Sequence, residues 1–138
     1  MTAEKITVEA AVRAPVEAMW QTYTTPENII QWNTASAEWH TTAATVDLRE
    51  GGSFSSRMEA KDGSMGFDFA GTYTKIEKYK TIEYAFGDRS GRVEFVPGRI
   101  RVTFDAESEN PIEQQRQGWQ AILNSFARHV EAQYAGTP

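Results

Sequence analysis

The sequence of 138 residues contains no cysteine. This absence excludes disulfide bonds, thiolate catalysis and most structural zinc sites, and it is compatible with a reducing or an oxidising compartment. A domain of this length buries roughly 68% of its unfolded surface, so one core is enough to stabilise it. We therefore expect a single domain over residues 1–138.

Long apolar runs and clusters of basic residues are also missing. No run approaches the roughly 20 apolar residues that span a bilayer, and Met1 to Lys5 lacks a basic segment followed by an apolar one. The 14 Lys and Arg residues against 19 Asp and Glu give a net charge of -5. No stretch concentrates positive charge as a phosphate-binding face requires. We expect a cytoplasmic protein with no membrane span and no nucleic-acid partner.

The usual catalytic and metal-binding motifs do not occur. His40 and His129 are the two histidines, and neither has the acidic spacing typical of a zinc site. Nucleotide-binding glycine loops and the serine-hydrolase motif are absent as well. We expect no metal, no cofactor and no catalytic residue set. His40 is either a solvated loop histidine, the favoured interpretation, or a proton donor at the mouth of a pocket.

Aromatic residues are plentiful, with four Trp, five Tyr and seven Phe. Each ring brings roughly 150–250 Å² of surface that can be buried. This is more than a compact core of this size needs, and the surplus indicates a cavity lined by rings. The alternative is that the rings fill the core, and composition alone favours that alternative.

The N-terminal third alternates between strand and helix patterns. Period-two alternation predicts a strand over Ile6–Arg13, and helical spacing after Pro15 predicts a short helix. Thr25 and Pro26 start a second short helix. A region without a clear period, Asn33–Thr42, is expected to be a crossing loop.

Turn residues then punctuate a series of strand patterns, which predicts a meander of antiparallel hairpins. The expected turns contain Gly51-Gly52, Asp62-Gly63, Gly87-Asp88, Ser90-Gly91 and Pro97-Gly98. The expected strands are Thr45–Arg49, Ser53–Ala60, Phe67–Tyr79, Thr81–Phe86, Arg92–Val96 and Arg99–Asp105. One face is apolar, and the other is expected to be solvated and includes Asp47, Arg49, Arg57, Glu59 and Asp68. A change of parity within the fourth strand of the chain suggests a bulge at Gly71.

The last segment has the pattern of a long amphipathic helix. It begins near Pro111, where Asn110 and Glu113 form a capping pattern, and Gly136 is expected to end it. About 24 residues give a length of roughly 36 Å, enough to cross a small sheet. Gly118 lies inside this helix at a cost of about 1 kcal/mol. We expect close packing against a neighbouring element to offset that cost, and the alternative is space for a ligand beside Trp119.

The order and spacing of these motifs carry a family resemblance from about Ile6 to Gln133. The motifs are Ala14-Pro15-Val16 with Trp20, Thr25-Pro26-Glu27 with Trp32, Gly51-Gly52, Gly71-Thr72-Tyr73 with Ile76, and Gly118-Trp119 with Leu123 and Phe126. Together they resemble the family named for the activator of the heat-shock chaperone ATPase. That family belongs to the SRPBCC superfamily, which also includes the START lipid-transfer domains and the birch-pollen-allergen-like proteins.

The resemblance implies an α+β helix-grip fold, in which a seven-stranded curved antiparallel sheet (β-α-α-β6-α) wraps around the C-terminal helix. It also implies a cavity between sheet and helix for a small hydrophobic or aromatic ligand. The expected lining residues are Trp32, Trp39, Met58, Phe67, Phe69, Tyr84, Phe86, Phe95, Trp119, Leu123 and Phe126.

Three functions are compatible with such a cavity. The first is a non-catalytic carrier or sensor of a lipid-like or polyketide-like molecule. The second is a cyclase or hydrolase that uses His40, Tyr84 or an inward carboxylate as proton donor. The third is a module that contacts a chaperone, as the family name suggests, with a role in stress response. A homodimer is a further expectation, and we rank the carrier or sensor first.

Overall fold

The computed structural model describes residues 4–34 and 36–135 of the chain. Seven strands and three helices follow one another in it. In chain order they are β1 (Lys5–Ala11), α1 (Val16–Thr24), α2 (Pro26–Trp32), β2 (Trp39–Val46), β3 (Ser53–Ala60), β4 (Gly66–Glu77), β5 (Thr81–Phe86), β6 (Arg89–Val96), β7 (Arg99–Asp105) and α3 (Ile112–Ala135).

The strands form one curved antiparallel sheet in the order β1-β7-β6-β5-β4-β3-β2. Strands β2 to β7 are a simple meander, and β1 closes it by pairing with β7, where Ile6 lies opposite Phe104. The arrangement confirms the predicted helix-grip fold. Because successive strands reverse direction, the β3–β4 turn, the β5–β6 turn and the start of α3 all lie at the same end of the sheet.

The two faces of the sheet differ as period-two alternation requires. The inner face is apolar, and Ile82, Val93 and Val102 are buried on it in three adjacent strands. The outer face carries ion pairs, including Glu9 with Arg101 at 3.2 Å. Arg57 similarly pairs with Glu59 and Asp68, so the solvated outer face was predicted correctly. Exposed pairs of this kind contribute about 0–1 kcal/mol each.

Helix α3 packs its apolar stripe onto the inner face. Phe126 is fully buried, and Trp119 stacks on Phe104 with ring centroids 3.8 Å apart. The short helices cover the far edge, where α2 packs on β2. The Trp32 indole N–H donates to the carbonyl of Thr22 and ties α2 to α1. None of the helices described here is long and apolar enough to cross a membrane.

Several predicted boundaries were wrong. Strand β2 begins at Trp39, within the predicted loop, and ends at Val46, so Asp47 and Arg49 lie beyond it. Small threonine and alanine side chains obscure its alternation in the sequence. Ser90-Gly91 lies inside β6 instead of in a turn. Strand β4 ends at Glu77, and Tyr79 occupies the following turn with a φ of 67°.

The predicted bulge is displaced from Gly71. The β4–β5 register shifts between Tyr73 and Lys75, whereas Gly71 pairs regularly with Phe54. The physical role of Gly71 is close approach, because a Cβ there would lie 2.3 Å from the Ala85 carbonyl oxygen. A glycine inside a strand indicates either a bulge or the close approach of another backbone, and only the packing decides between the two.

The ends of the helices also differ in detail from the expectation. Thr25 occupies the N-cap position of α2 and Pro26 is its first residue, as predicted, but the Thr25 hydroxyl donates to the Gln21 carbonyl of α1 instead of capping α2. Pro111 immediately precedes α3, and its carbonyl accepts the first helical hydrogen bond from Gln115. Glu113 pairs with Arg116, so the expected capping box does not form. Gly136, the predicted helix end, lies outside the described residues.

Gly118 does not pack closely against another element. A Cβ at this position would have no atom within 4 Å, so close approach was the wrong explanation. Gly118 does not line the cavity described below.

Candidate functional site

A cavity of about 320 Å³ lies between the inner face of the sheet and the helices, and it is partly open to solvent. Residues from α1, α2, the six strands β2 to β7 and α3 line it, together with Asn33 just after α2. They are Tyr23, Ile29, Trp32, Asn33, Thr45, Val46, Phe54, Ser56, Met58, Phe67, Phe69, Tyr73, Ile82, Tyr84, Arg89, Val102, Trp119, Ile122 and Leu123. The volume falls within the range of about 300–1,000 Å³ typical of small-molecule sites.

The sheet side of the cavity is a continuous group of aromatic rings. Phe54 contacts Phe69, Tyr73 and Tyr84, with ring centroids 5.9, 5.1 and 5.3 Å apart. Phe69 in turn contacts Trp119 of α3 at 6.1 Å. Rings at these distances and tilts attract one another, which keeps the wall rigid.

The cavity opens to solvent near Phe67, and we call this end the cavity mouth. Phe67, near the β3–β4 turn, lines the cavity and is nevertheless 48% exposed. Its ring contacts Trp39 at 5.9 Å, and Met65 in the same turn is 66% exposed. Large apolar side chains therefore reach solvent at the end of the sheet where α3 begins.

Three tyrosines bring hydroxyl groups to the cavity wall. Burial raises the pKa of Tyr73 to about 12 and raises the pKa values of Tyr23 and Tyr84 well above the usual 10. None of these hydroxyls, nor that of Ser56, hydrogen-bonds to another described residue. No fully enclosed polar side-chain atom in the described part of the chain lacks a partner. The unpaired hydroxyls therefore reach the accessible space of the cavity.

Gly91 fixes the position of Tyr84. The two residues are paired across β5 and β6, and the phenol ring lies over the glycine. A Cβ on Gly91 would be 2.5 Å from Cζ of Tyr84 and 2.6 Å from its hydroxyl oxygen. This contact explains why a glycine that resembles a turn residue in the sequence lies inside a strand.

Arg89 is the one charged residue among the described residues that line the cavity. It is the first residue of β6, next to the β5–β6 turn, and is half-buried. Its guanidinium carbon lies 4.5 Å from the centroid of the Phe86 ring, and Nη1 donates to the Asp105 carbonyl at 3.3 Å. The sequence pattern does not indicate a role for Arg89 in the cavity, because the residue follows a Gly-Asp turn and lies next to the predicted Ser90-Gly91 turn.

Seven of the eleven predicted residues line the cavity. They are Trp32, Met58, Phe67, Phe69, Tyr84, Trp119 and Leu123. Of the other four, Trp39 contacts Phe67 at the mouth, and Phe86 lies between Tyr84 and Arg89. Phe95 and Phe126 pack behind the wall against Tyr23. Ligand binding by any of these residues stays a prediction.

Several lining residues were not among the eleven predicted ones, although the sequence pattern indicated some of them. Phe54 has the same parity as Met58, and Tyr73 follows the Gly71 motif, so both carried a signal. Ser56 shares the parity of Phe54 and Met58, but its small polar side chain did not mark it as a lining residue. Asn33 carried no signal, because it lies in the predicted loop.

The cavity wall contains neither a carboxylate nor a histidine among the described residues. His40 lies in β2, half-exposed. His129 Nε2 lies 3.3 Å from Oδ1 of Asn28, and burial lowers the pKa of this imidazole. No group of three His, Asp or Glu residues within 4–34 and 36–135 is arranged to hold a metal ion.

Residues 13–131 match the family model described as activator of Hsp90 ATPase homolog 1-like protein. The chain belongs to this family. The match covers most of the sheet, both short helices and nearly all of α3, and it confirms the resemblance inferred from the motifs. No curated protein is significantly similar to the chain.

Solved structures of similar proteins share the fold. An AHSA1-like protein from Aeromonas hydrophila is 43% identical, with a TM-score of 0.89 over 98% of this chain and 97% of that one. A protein from Cytophaga hutchinsonii is also 43% identical, with a TM-score of 0.77 over 97% and 96%. A more distant protein from Nitrosomonas europaea, 18% identical, has a TM-score of 0.80 over 94% and 95% and shares the fold alone.

Proposed function

We propose that the protein binds a small hydrophobic or aromatic molecule in the cavity and acts as a non-catalytic carrier or sensor. The observation that supports this most is the wall itself, a rigid group of rings with a few unpaired hydroxyls. Apolar surface supplies affinity for such a ligand, and isolated polar groups orient it. The SRPBCC fold commonly serves this kind of binding.

The energetic cost of an empty cavity supports the same proposal. By the relation measured for engineered voids, a dry space of 320 Å³ costs about 8 kcal/mol. That is comparable with the whole stability of a domain, roughly 5–15 kcal/mol. The cavity therefore holds water or ligand, and a fitting apolar ligand releases the water.

An enzyme is the weaker alternative. General acid–base catalysis at neutral pH needs a group whose pKa is near 7. The described cavity wall offers hydroxyls with raised pKa values and no carboxylate or imidazole. Such hydroxyls are suited to donating hydrogen bonds to a ligand instead of releasing a proton.

A chaperone partner is a second proposal, which depends on the family description. The exposed Phe67 and Met65 at the cavity mouth favour some contact of apolar character. A cytoplasmic location, a role in stress response and a homodimer are proposals of the same rank. A pull-down with purified Hsp90 would test the chaperone partner, and a sedimentation experiment would test the homodimer.

The experiment for ligand binding uses neutral probes and a variant with a filled cavity. Dodecanol and naphthalenemethanol are titrated against the protein, and tryptophan fluorescence is recorded because Trp32 and Trp119 line the cavity. Ser56→Leu places a larger apolar side chain in the cavity, and Ser55→Leu places the same side chain on the opposite face of β3. We expect saturable binding to the unmodified protein and to Ser55→Leu.

Binding to Ser56→Leu should be at least about tenfold weaker, a loss of about 1.4 kcal/mol. Circular dichroism of both variants verifies that they fold. If neither probe, nor a wider panel of lipids and aromatic polyketides, changes the fluorescence or the melting temperature, the proposal is wrong.

A further inference from the structure

Arg89 differs from the other arginines of the chain in its surroundings. Six of the nine arginines form ion pairs with carboxylates, at positions 49, 57, 92, 99, 101 and 116. Of the remaining three, Arg13 and Arg128 are exposed. Arg89 alone is half-buried without a carboxylate partner among the described residues.

The carboxylate of Asp105, whose backbone carbonyl contacts Arg89, is already engaged elsewhere. The Asp105 side chain accepts from the Lys5 ammonium and from the backbone N–H and hydroxyl of Ser90, at 2.9 and 3.0 Å. These contacts hold the pKa of Asp105 below its usual range, with the Lys5 contact the largest cause. Only the Asp105 backbone carbonyl accepts from Arg89. Among the described residues, the Arg89 guanidinium therefore forms no ion pair with a carboxylate.

The guanidinium also has N–H donors beyond the one that contacts the Asp105 carbonyl. A guanidinium carries five N–H donors in a planar fork that matches a carboxylate. One of them contacts the Asp105 carbonyl, and the Phe86 ring supports the group at 4.5 Å. The Phe86 ring fixes the orientation of the guanidinium while leaving its polar edge available.

The position of Arg89 suits the charged end of an amphipathic molecule. The β5–β6 turn lies at the end of the sheet that carries Phe67 and the cavity mouth, as the antiparallel order requires. The tyrosines Tyr23 and Tyr73 and the buried Ile82 line the cavity further from this end. A ligand whose charged group is at Arg89 therefore keeps that group near solvent and its apolar part among the rings.

We propose that the cavity selects ligands that carry a carboxylate, and that Arg89 binds this group at the cavity mouth. This inference rests on the proposed function. A carboxylate held by a guanidinium makes charge-assisted, bidentate hydrogen bonds, which are roughly twice as strong as neutral ones. Partial exposure limits the desolvation cost of the pair. The net charge of -5 repels anions from the rest of the molecule, so the local cation sets the preference.

The test compares acids with their neutral alcohols. Dodecanoate is paired with dodecanol, and naphthoate is paired with naphthalenemethanol. Aliphatic and aromatic carboxylates are thereby tested separately. Dissociation constants are measured by tryptophan fluorescence for the unmodified protein, Arg89→Gln and Arg128→Gln. Arg128→Gln is the matched control, because it removes the same charge from an exposed arginine outside the cavity.

We expect at least one acid to bind about tenfold or more tightly than its alcohol, and Arg89→Gln to remove that preference, so that acid and alcohol bind this variant with similar affinity. Arg128→Gln should behave like the unmodified protein. Equal binding of acid and alcohol in all three proteins would overturn the inference and leave the proposed function intact. If neither these four probes nor the wider panel of lipids and aromatic polyketides binds to the unmodified protein, both proposals fail. Should Arg89→Gln fold poorly by circular dichroism, Arg89→Lys provides the comparison, with a partial loss of preference expected.

Discussion

The phenol of Tyr84 occupies the space that a side chain at position 91 would fill. Gly91→Ala therefore forces the ring to shift within a packed wall, and overpacking of this kind costs about 1–3 kcal/mol. We expect the free energy of unfolding to fall by that amount in urea denaturation. In a Tyr84→Ala background the same change should cost less, because the ring is gone. Equal costs in both backgrounds would show that the two residues do not interact.

The buried tyrosines predict a loss of stability at alkaline pH. A pKa of about 12 for Tyr73 against an ordinary 10 means that the folded state holds its proton more tightly than the unfolded state. The contribution of this group is fully present below pH 10 and is lost as the pH rises through 12. The expected slope is up to about 1.4 kcal/mol per pH unit for each such group.

Chemical denaturation at several pH values above 9 would measure the slope. Tyr73→Phe should flatten it, because the titrating group is removed while the ring remains. A slope that is identical in Tyr73→Phe and the unmodified protein would contradict the assignment.

At the scale of the element, helix α3 carries a glycine that its packing does not require. A Cβ at Gly118 meets no atom within 4 Å, so Gly118→Ala should raise the free energy of unfolding by about 1 kcal/mol through helix propensity. Ligand affinity should not change, because Gly118 does not line the cavity. Gly71→Ala is the contrasting control, since its Cβ would lie 2.3 Å from a carbonyl oxygen and should destabilise the sheet. A destabilising Gly118→Ala would mean that α3 packs more closely there.

At the scale of the whole molecule, the cavity couples ligand binding to global stability. Its wall consists of residues from α1, α2, α3 and six strands of the sheet, so unfolding destroys the site completely. A ligand at one hundred times its dissociation constant should raise the free energy of unfolding by about 2.7 kcal/mol. Calorimetry with increasing dodecanol or dodecanoate would measure this rise, and Ser56→Leu should show much less of it. A melting temperature that does not depend on the concentration of a bound probe would contradict the coupling.

Most of the fold was predictable because it depends on local rules. The alternation at Ile82, Tyr84 and Phe86 predicted β5 with the bounds observed, and the glycine turns predicted all the β3–β7 hairpin turns except the one at Tyr79. Strand β2 was partly missed because its apolar face is made of short side chains. The single domain expected for residues 1–138 stays a prediction.

The candidate site was predictable only where a large apolar residue faced inward. Trp119 and Phe69 line the cavity because helical and strand periodicity place them on the inner face. Phe126 has the same periodicity but packs behind the wall, since the short helices fill the space beside it. Periodicity identifies a face, whereas the distance between helix and sheet decides where a cavity remains.

The sequence by itself determined the order of strands and helices, the apolar faces and the family, because these follow from near-neighbour patterns along the chain. Only the tertiary structure decided the functions of Gly91 and Arg89. The space at Gly91 is filled by a residue from another strand, and the Asp105 carboxylate is held by Lys5 and Ser90, while Arg89 forms no ion pair within residues 4–34 and 36–135. Both facts depend on contacts between residues distant in sequence, and no local pattern encodes them.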